Sequence, residues 1–210
     1  MIFDFDEINN LHNEDDYILK YFEDMDITQS GKDKRIDFST KMYDIMLFVF
    51  ALVKSMQESG YIDEQYIILQ LTNRYFELID DFSMQSQYIQ DYVGIFARQT
   101  VDVTLEHLQD IDGYFMSNER ALIIAVNEAN TIFNYSDYDN AMNNGFTKKQ
   151  WITEKDDKVR ITHVEVDDSI VDINEPFVVG DSLLMFPKDT SLGASAEEIV
   201  NCRCSVKYLK

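Results

Sequence analysis

The chain of 210 residues is long enough for one sizeable domain, and its hydrophobic content of 45% argues against wholesale disorder. Its 39 acidic side chains outnumber 18 basic ones, so the formal net charge is -21. That charge excludes a protein that coats nucleic acid through clustered Lys and Arg, and one that binds anionic membranes through a polybasic patch.

The number of cysteines and the length of the apolar runs indicate in which cellular compartment the protein is found. Two cysteines are too few for a secreted scaffold built from disulfides. The opening MIFDFDEINN has no basic region followed by an apolar stretch, so we expect no secretory signal. The longest apolar run, Ile45 to Val53, is about half of what a membrane-spanning helix needs. We therefore expect a soluble, cytoplasmic protein with no membrane contact.

The first part of the chain has the composition of a helical bundle. No proline precedes Pro176, and only five glycines occur before it. A short helix is predicted near residues 15–25, and a mobile loop at 29–34. Longer helices follow at about 38–56, 63–80 and 83–108, and a fourth begins after Ser117, a suitable N-cap, and continues over 120–133.

Two of these helices carry apolar and polar side chains at spacings of three and four, which places each set on one face. The sets are Tyr66, Leu69, Asn73, Phe76 and Ile79 on the first, and Tyr88, Tyr92, Ile95, Gln99, Val103 and Leu105 on the second. Core packing is the default explanation for aromatic residues at helical spacing, because a base-stacking platform would need interleaved basic residues that are missing here.

The last third of the chain changes to short segments rich in β-branched and aromatic residues. Strands are predicted at 159–164, 170–173, 183–186 and 202–208, separated by turn residues. Charge changes as well, from -18 over residues 1–146 to -3 over residues 147–210. We predict an α+β protein, with an acidic helical domain at 1–146 followed by a small β-rich module at 147–210.

His163, Cys202 and Cys204 are candidate metal ligands. A Cys-x-Cys pair on a strand places both sulfurs on the same face, and a histidine on another strand would give zinc three ligands. The sequence does not clearly nominate a fourth; Asp189 or a water are the candidates. The alternative is that both thiols are small buried residues and that hydrogen bonds satisfy His163. We expect no cofactor other than this zinc ion.

Arg160, His163 and Glu198 allow an enzymatic interpretation, as the anion-binding, basic and acidic groups of a nuclease or an ADP-ribosyl transferase-like site. The surrounding carboxylates at Asp156, Asp157, Asp167 and Asp168 are unfavourable for a polyanionic substrate. The structural alternative is that Arg160 pairs with a carboxylate and His163 braces a turn.

The C-terminal residues resemble the Mu protein F-like minor head proteins of tailed bacteriophages. A Trp, an Arg-x-x-His, a Phe, a Pro-x-Asp and an Asn-Cys-Arg-Cys occur in the order typical of that family, at Trp151, Arg160, His163, Phe177, Pro187, Asp189, Asn201, Cys202, Arg203 and Cys204. Upstream, Arg120, Ala125, Asn127, Glu128 and Asn130 match the family's preceding helix in part. The resemblance covers about residues 85–204.

This resemblance implies a structural virion protein and not an enzyme. It would be a minor capsid protein inside the head that associates with the portal, the major capsid or the scaffold protein, and that assists head assembly and genome delivery. The host cytoplasm would be its location during assembly, and contact with packaged DNA would be weak. Arg160, His163, Asn201 and Arg203 would then brace the β-rich module through buried hydrogen bonds, around a core of Trp151, Phe177 and Phe186. A third hypothesis is a zinc-stabilised inhibitor of a host factor, with the acidic domain as a nucleic-acid mimic.

Overall fold

The computed structural model describes residues 14–84, 86–111 and 113–210. The opening segment, on which the expectation of no secretory signal rests, lies outside them. The chain forms two compact units, one of residues 1–36 with 129–210, and one of residues 37–128. No helix within the described ranges is both long and apolar enough to cross a membrane.

Seven α-helices and one 3-10 turn occur in the described part of the chain. Their bounds are α1 Glu14–Glu23, α2 Gln29–Ser59, α3 Glu64–Asp81, α4 Gln87–Glu106, the 3-10 turn Tyr114–Met116, α5 Asn118–Asn143, α6 Ile161–Val166 and α7 Ala196–Ile199. The five long helices agree with the predicted ones. Side chains at the predicted starts cap two of them: Asp63 accepts from the amide of Tyr66 at 3.0 Å, and Ser117 from that of Arg120 at 3.1 Å.

The loop predicted at 29–34 is wrong, because these residues form the first turns of α2. The hydroxyl oxygen of Thr28 accepts a hydrogen bond from the amide of Gly31 at 3.1 Å, which caps the helix about two and a half turns earlier than expected. Gln29 and Asp33 add a side-chain hydrogen bond of 2.8 Å one turn apart. The polar composition of residues 29–34 indicates a loop, whereas these residues form the capped start of a helix.

The unit of residues 37–128 packs around aromatic side chains. Phe38, Tyr75 and Phe96 meet edge to face, with ring centroids 6.1 and 5.3 Å apart. The hydroxyls of Tyr75 and Tyr92 both donate to the buried carboxylate of Glu128, at 2.8–2.9 Å. Burial and this carboxylate raise the pKa of Tyr75 well above its ordinary value.

The faces predicted to be buried on α3 and α4 are mainly the exposed ones. Tyr66 and Leu69 on α3 are 45% and 51% exposed, and Tyr88 and Ile95 on α4 are 62% and 57% exposed. Ile79 of the predicted face is buried, but the rest of the core is formed by a neighbouring set on each helix: Ile67, Leu71, Tyr75 and Leu78 on α3, and Ile89, Val93, Ala97, Thr100, Val101 and Thr104 on α4. Both helices are apolar on two faces, and spacing alone does not say which one is covered.

The other unit contains two small antiparallel sheets. Strands β1 Lys148–Ile152, β2 Ile170–Asp172 and β5 Ser205–Leu209 form the first in the order β2-β1-β5; β3 Phe177–Val179 and β4 Ser182–Leu184 form the second. Trp151 on β1 opposes Val206 on β5. The strand predicted at 159–164 is wrong: α6 occupies 161–166, so His163 lies on a helical turn.

The architecture confirms the predicted α+β class, with helices preceding a small sheet region. The core of the sheet region contains Trp151, Val166, Phe177, Val179, Leu184, Cys202 and Cys204. Residue 146 marks the change from helix to sheet, whereas the compact units divide within α2 and α5. The expected independence of residues 1–146 and 147–210 as domains stays a prediction.

One residue of β1, Lys149, is buried although its charged amine makes that burial energetically unfavourable. Lys149 is 0% exposed, its ammonium lies 5.2 and 5.3 Å from the ring centres of Tyr138 and Phe177, and it has no hydrogen-bond partner among the described residues. Burial lowers the pKa of Lys149 to about 8, although the charge of Asp189 opposes that change. The folded state therefore disfavours the charged amine.

Lys149→Met is expected to raise the free energy of unfolding at pH 7 by roughly 1–3 kcal/mol, since the folded protein no longer buries a charge. Because the wild-type amine loses its proton more easily when folded, this gain should shrink between pH 8 and the ordinary lysine pKa of 10.5. Urea unfolding across that range measures it. The exposed neighbour Lys148→Met is the control, and an equal gain there would contradict the explanation.

Candidate functional site

The predicted metal ligands come together in the unit of residues 1–36 and 129–210. His163 lies on α6, and Cys202 and Cys204 lie between α7 and β5. The chain reverses at Asn201, which has a φ of 58°, a left-handed conformation that Asn tolerates better than most residues. The three side chains are 1–3% exposed, and both cysteines are free thiols.

One nitrogen of His163 faces both sulfurs. Its Nδ1 lies 3.3 Å from the Sγ of Cys204 and 3.6 Å from the Sγ of Cys202. One ligand atom from each of the three side chains lies within 4.8 Å of the others. The structure thus brings the predicted ligand set together, but the predicted strands are wrong for all three residues: His163 lies on a helix, and Cys202 and Cys204 lie in the segment before β5.

The other nitrogen of His163 is held by a carboxylate. Nε2 lies 3.0 Å from the Oε2 of Glu198, which also accepts a hydrogen bond of 2.8 Å from the hydroxyl of Thr162. Gly180 leaves room for that carboxylate: a Cβ there would lie 2.7 Å from the Oε1 of Glu198, and the φ of +57° also favours glycine. The ring meets Trp151 edge to face, with centroids 5.5 Å apart.

The pKa values of the three side chains in the cluster depend on one another. Burial raises the pKa of the Cys202 thiol, but hydrogen bonds from Cys204 and His163 and the charges of His163 and Lys188 outweigh burial and lower it well below its ordinary value. Burial lowers the pKa of His163, and the hydrogen bond and charge of Cys202 outweigh it, so the net direction is upward. The hydrogen bond to Cys202, with burial, raises the pKa of Cys204. Without a metal, the cluster favours a Cys202 thiolate beside an imidazolium.

A small pocket of about 20 Å³, partly open to solvent, borders the cluster, and Glu154, Arg160 and Arg203 line it. The guanidinium of Arg160 donates to the carbonyl of Val200, and that of Arg203 pairs with Asp156. Burial raises the pKa of Glu154 to about 7, and its Oε2 has no hydrogen-bond partner among the described residues. The sequence interpretation did not include Glu154.

The remaining motif residues support the same core. Trp151 and Phe177 are fully buried, with ring centroids 5.2 Å apart. Asp189, proposed as a fourth ligand, is not part of the His–Cys–Cys group. Its carboxylate accepts instead from the amides of Met185 and Ser191, at 2.9 and 2.8 Å. It therefore closes a turn, which is a structural role.

Two asparagines one turn apart on α5 anchor the motif loops. Asn130 donates to the carbonyl of Cys202 at 3.0 Å, and Asn134 donates to that of Pro187 at 2.9 Å. The side-chain oxygens of both accept from the buried guanidinium of Arg35, at 3.3 Å. Sequence reasoning missed Arg35 and Asn134; the signal available was a pair of asparagines, four residues apart, within an apolar helix.

Of the residues of the enzymatic interpretation, Arg160 and His163 line the small pocket described above, whereas Glu198 is not among its lining residues. His163 and Glu198 are 1% and 8% exposed, and the Arg160 guanidinium is bound to a backbone carbonyl. Cys202, His163 and Glu198 have the order of a nucleophile, a base and an orienting group. With Cys202 only 2% exposed, a substrate would have little access to the sulfur.

Asn130→Ala should lower the free energy of unfolding by about 1–3 kcal/mol, because it leaves the carbonyl of Cys202 and the Arg35 guanidinium each short of one hydrogen bond. Thermal and urea unfolding measure the loss. Asn140→Ala, at an exposed position of the same helix, is the control and should change stability far less. Equal losses in both variants would show that helix propensity, and not the buried hydrogen bonds, explains the effect.

Comparison with known proteins agrees with the sequence motifs. The family model described as Phage Mu protein F like protein matches residues 86–207, more than half of the chain. No curated protein and no solved structure matches. The matched range includes the histidine, both cysteines, Glu198 and the two anchoring asparagines. The chain belongs to the Phage Mu protein F like family, a family associated with bacteriophage head morphogenesis.

Proposed function

We propose that this protein is a minor capsid protein of a tailed bacteriophage that docks to the portal or inner shell and assists head assembly and genome delivery. The observation that carries this proposal is that the motif side chains hold the fold together. Trp151, His163, Phe177 and Asp189 are buried in packing or hydrogen bonds within one compact unit. Side chains that hold a shape serve a structural protein better than an enzyme.

The docking surface we propose is the exposed apolar stripe of α3 and α4, formed by Tyr66, Leu69, Tyr88, Ile95 and Val103. These side chains are 38–62% exposed. Aromatic and aliphatic side chains grouped on a helical surface are typical of the centre of a protein interface, where burial supplies most of the binding energy. Residues 1–146 carry a net charge of -18, which favours a partner with a basic rim.

Acidity also fits a place beside packaged DNA. Like charges discourage tight binding between this protein and the genome, so a protein near the exit route would not hold the DNA back. We therefore propose a location in the capsid interior, with the host cytoplasm as the site of assembly, and contact with DNA that is weak. An enzymatic role is the less favoured candidate, because His163 and Glu198 are buried and the Arg160 guanidinium is bound to a backbone carbonyl.

Co-purification with the portal protein of the same phage tests the docking surface. The double variant Leu69→Glu and Ile95→Glu should reduce recovery of the complex at least tenfold, since each change places a charge in the apolar contact. Leu183→Glu, at a position 45% exposed in the other compact unit, is the matched control and should leave recovery unchanged.

Mass spectrometry of purified particles tests the virion assignment itself. The chain should be present in intact heads at low copy number. Particles that lack it would contradict the proposed function, and recovery of the portal that is equal for wild type and double variant would contradict the docking surface alone.

A further inference from the structure

We propose that His163, Cys202 and Cys204 bind one structural Zn²⁺ through Nδ1 and the two sulfurs. Within the described residues, these three form the group of His, Cys, Asp or Glu side chains whose ligand atoms converge. Convergence of three buried ligand atoms from two separate segments is unusual for residues that serve packing alone. This proposal does not depend on the virion role, because a metal-stabilised fold is compatible with any function.

Distances within the cluster match a tetrahedral site. With Zn–S of about 2.3 Å and Zn–N of about 2.0 Å, a sulfur and a nitrogen on one zinc ion lie about 3.5 Å apart. The two observed separations from Nδ1 are 3.3 and 3.6 Å. One zinc ion therefore fits between these atoms with little movement of the side chains.

Glu198 prepares the histidine for a metal. When Nδ1 gives up its proton to bind a metal, Nε2 keeps its own and donates it to the Glu198 carboxylate at 3.0 Å, so the lone pair of Nδ1 faces the sulfurs. A ligating histidine whose second nitrogen donates to a carboxylate is the usual arrangement in zinc proteins, because it fixes the tautomer and the ring orientation. Thr162 donates a hydrogen bond to that carboxylate, and Gly180 leaves the space that it occupies.

The donor set favours zinc over harder cations. Two thiolates and one imidazole are soft or borderline ligands, which bind zinc well and calcium or magnesium poorly. The fourth position faces the adjacent pocket. There the buried Oε2 of Glu154, which has no hydrogen-bond partner among the described residues, offers a carboxylate oxygen. Because Glu154 lies outside the converging His–Cys–Cys group, its carboxylate would have to move to reach the metal; a water is therefore the first candidate for the fourth ligand, and Glu154 is the alternative.

Elemental analysis of the full chain, purified from zinc-supplemented culture, tests the proposal. One zinc per chain is expected. Replacement by Co²⁺ should give a sulfur-to-metal charge-transfer band, and because the chain has only two cysteines, that band reports Cys202 and Cys204. Cys202→Ser and Cys204→Ser should each reduce bound metal at least tenfold. His107→Ala changes a half-exposed histidine in the other unit and is the matched control.

A titration of wild-type protein covers the case in which the variants do not fold. After removal of metal by a chelator, added Zn²⁺ should raise the melting temperature and saturate at one equivalent, whereas Mg²⁺ should not. Glu154→Gln should weaken zinc binding about tenfold if its carboxylate is the fourth ligand, and should leave it unchanged if water is. Wild-type protein with no bound zinc and no zinc-dependent stabilisation, or a disulfide between Cys202 and Cys204 in its place, would overturn the site.

Discussion

The sheet-containing unit depends on the hydrogen-bonded position of one imidazole. His163 lies between the carboxylate of Glu198 and the sulfurs of Cys202 and Cys204, and it joins α6, α7 and the segment before β5 in a place that water hardly reaches. In such surroundings a polar group without a partner costs several times more than in water, so each member of the cluster constrains the others. Because the sheet is short and has little apolar area, these directional contacts fix its arrangement.

Buried hydrogen bonds also connect helix α5 to the motif loops. Asn130, Asn134 and Arg35 form a second buried polar network, and it holds the backbone carbonyls of Cys202 and Pro187 at the two motif loops. The loops are therefore fixed through their backbone by helical side chains, and their own side chains remain available for the core and the cluster. Membership of the Mu F-like family is consistent with this division, because the match includes both the helix and the loops.

Sequence reasoning succeeded where one signal was sufficient. Proline-free, capped segments such as those starting at Asp63 and Ser117 gave helices, and the spacing of Cys202 and Cys204 indicated two thiols that lie close together in the fold. It failed where tertiary contacts determine which face of a helix is buried or which secondary structure a segment forms. Both faces of α3 are apolar, so only the fold shows that Ile67 is buried and Leu69 exposed. His163 lies among β-branched residues, yet packing of α6 makes the segment helical. Glu154 had no local pattern, and the one signal for Asn134 was its spacing of four residues from Asn130.

The reactivity of the two cysteines toward a small maleimide measures how closed this cluster is. For the full chain, with and without chelator, modification of Cys202 and Cys204 should be slow in buffer and should accelerate with guanidinium in parallel with global unfolding. Rapid modification of either thiol in the native protein, at a rate independent of denaturant, would show an accessible sulfur and contradict the view that these side chains serve to hold shape.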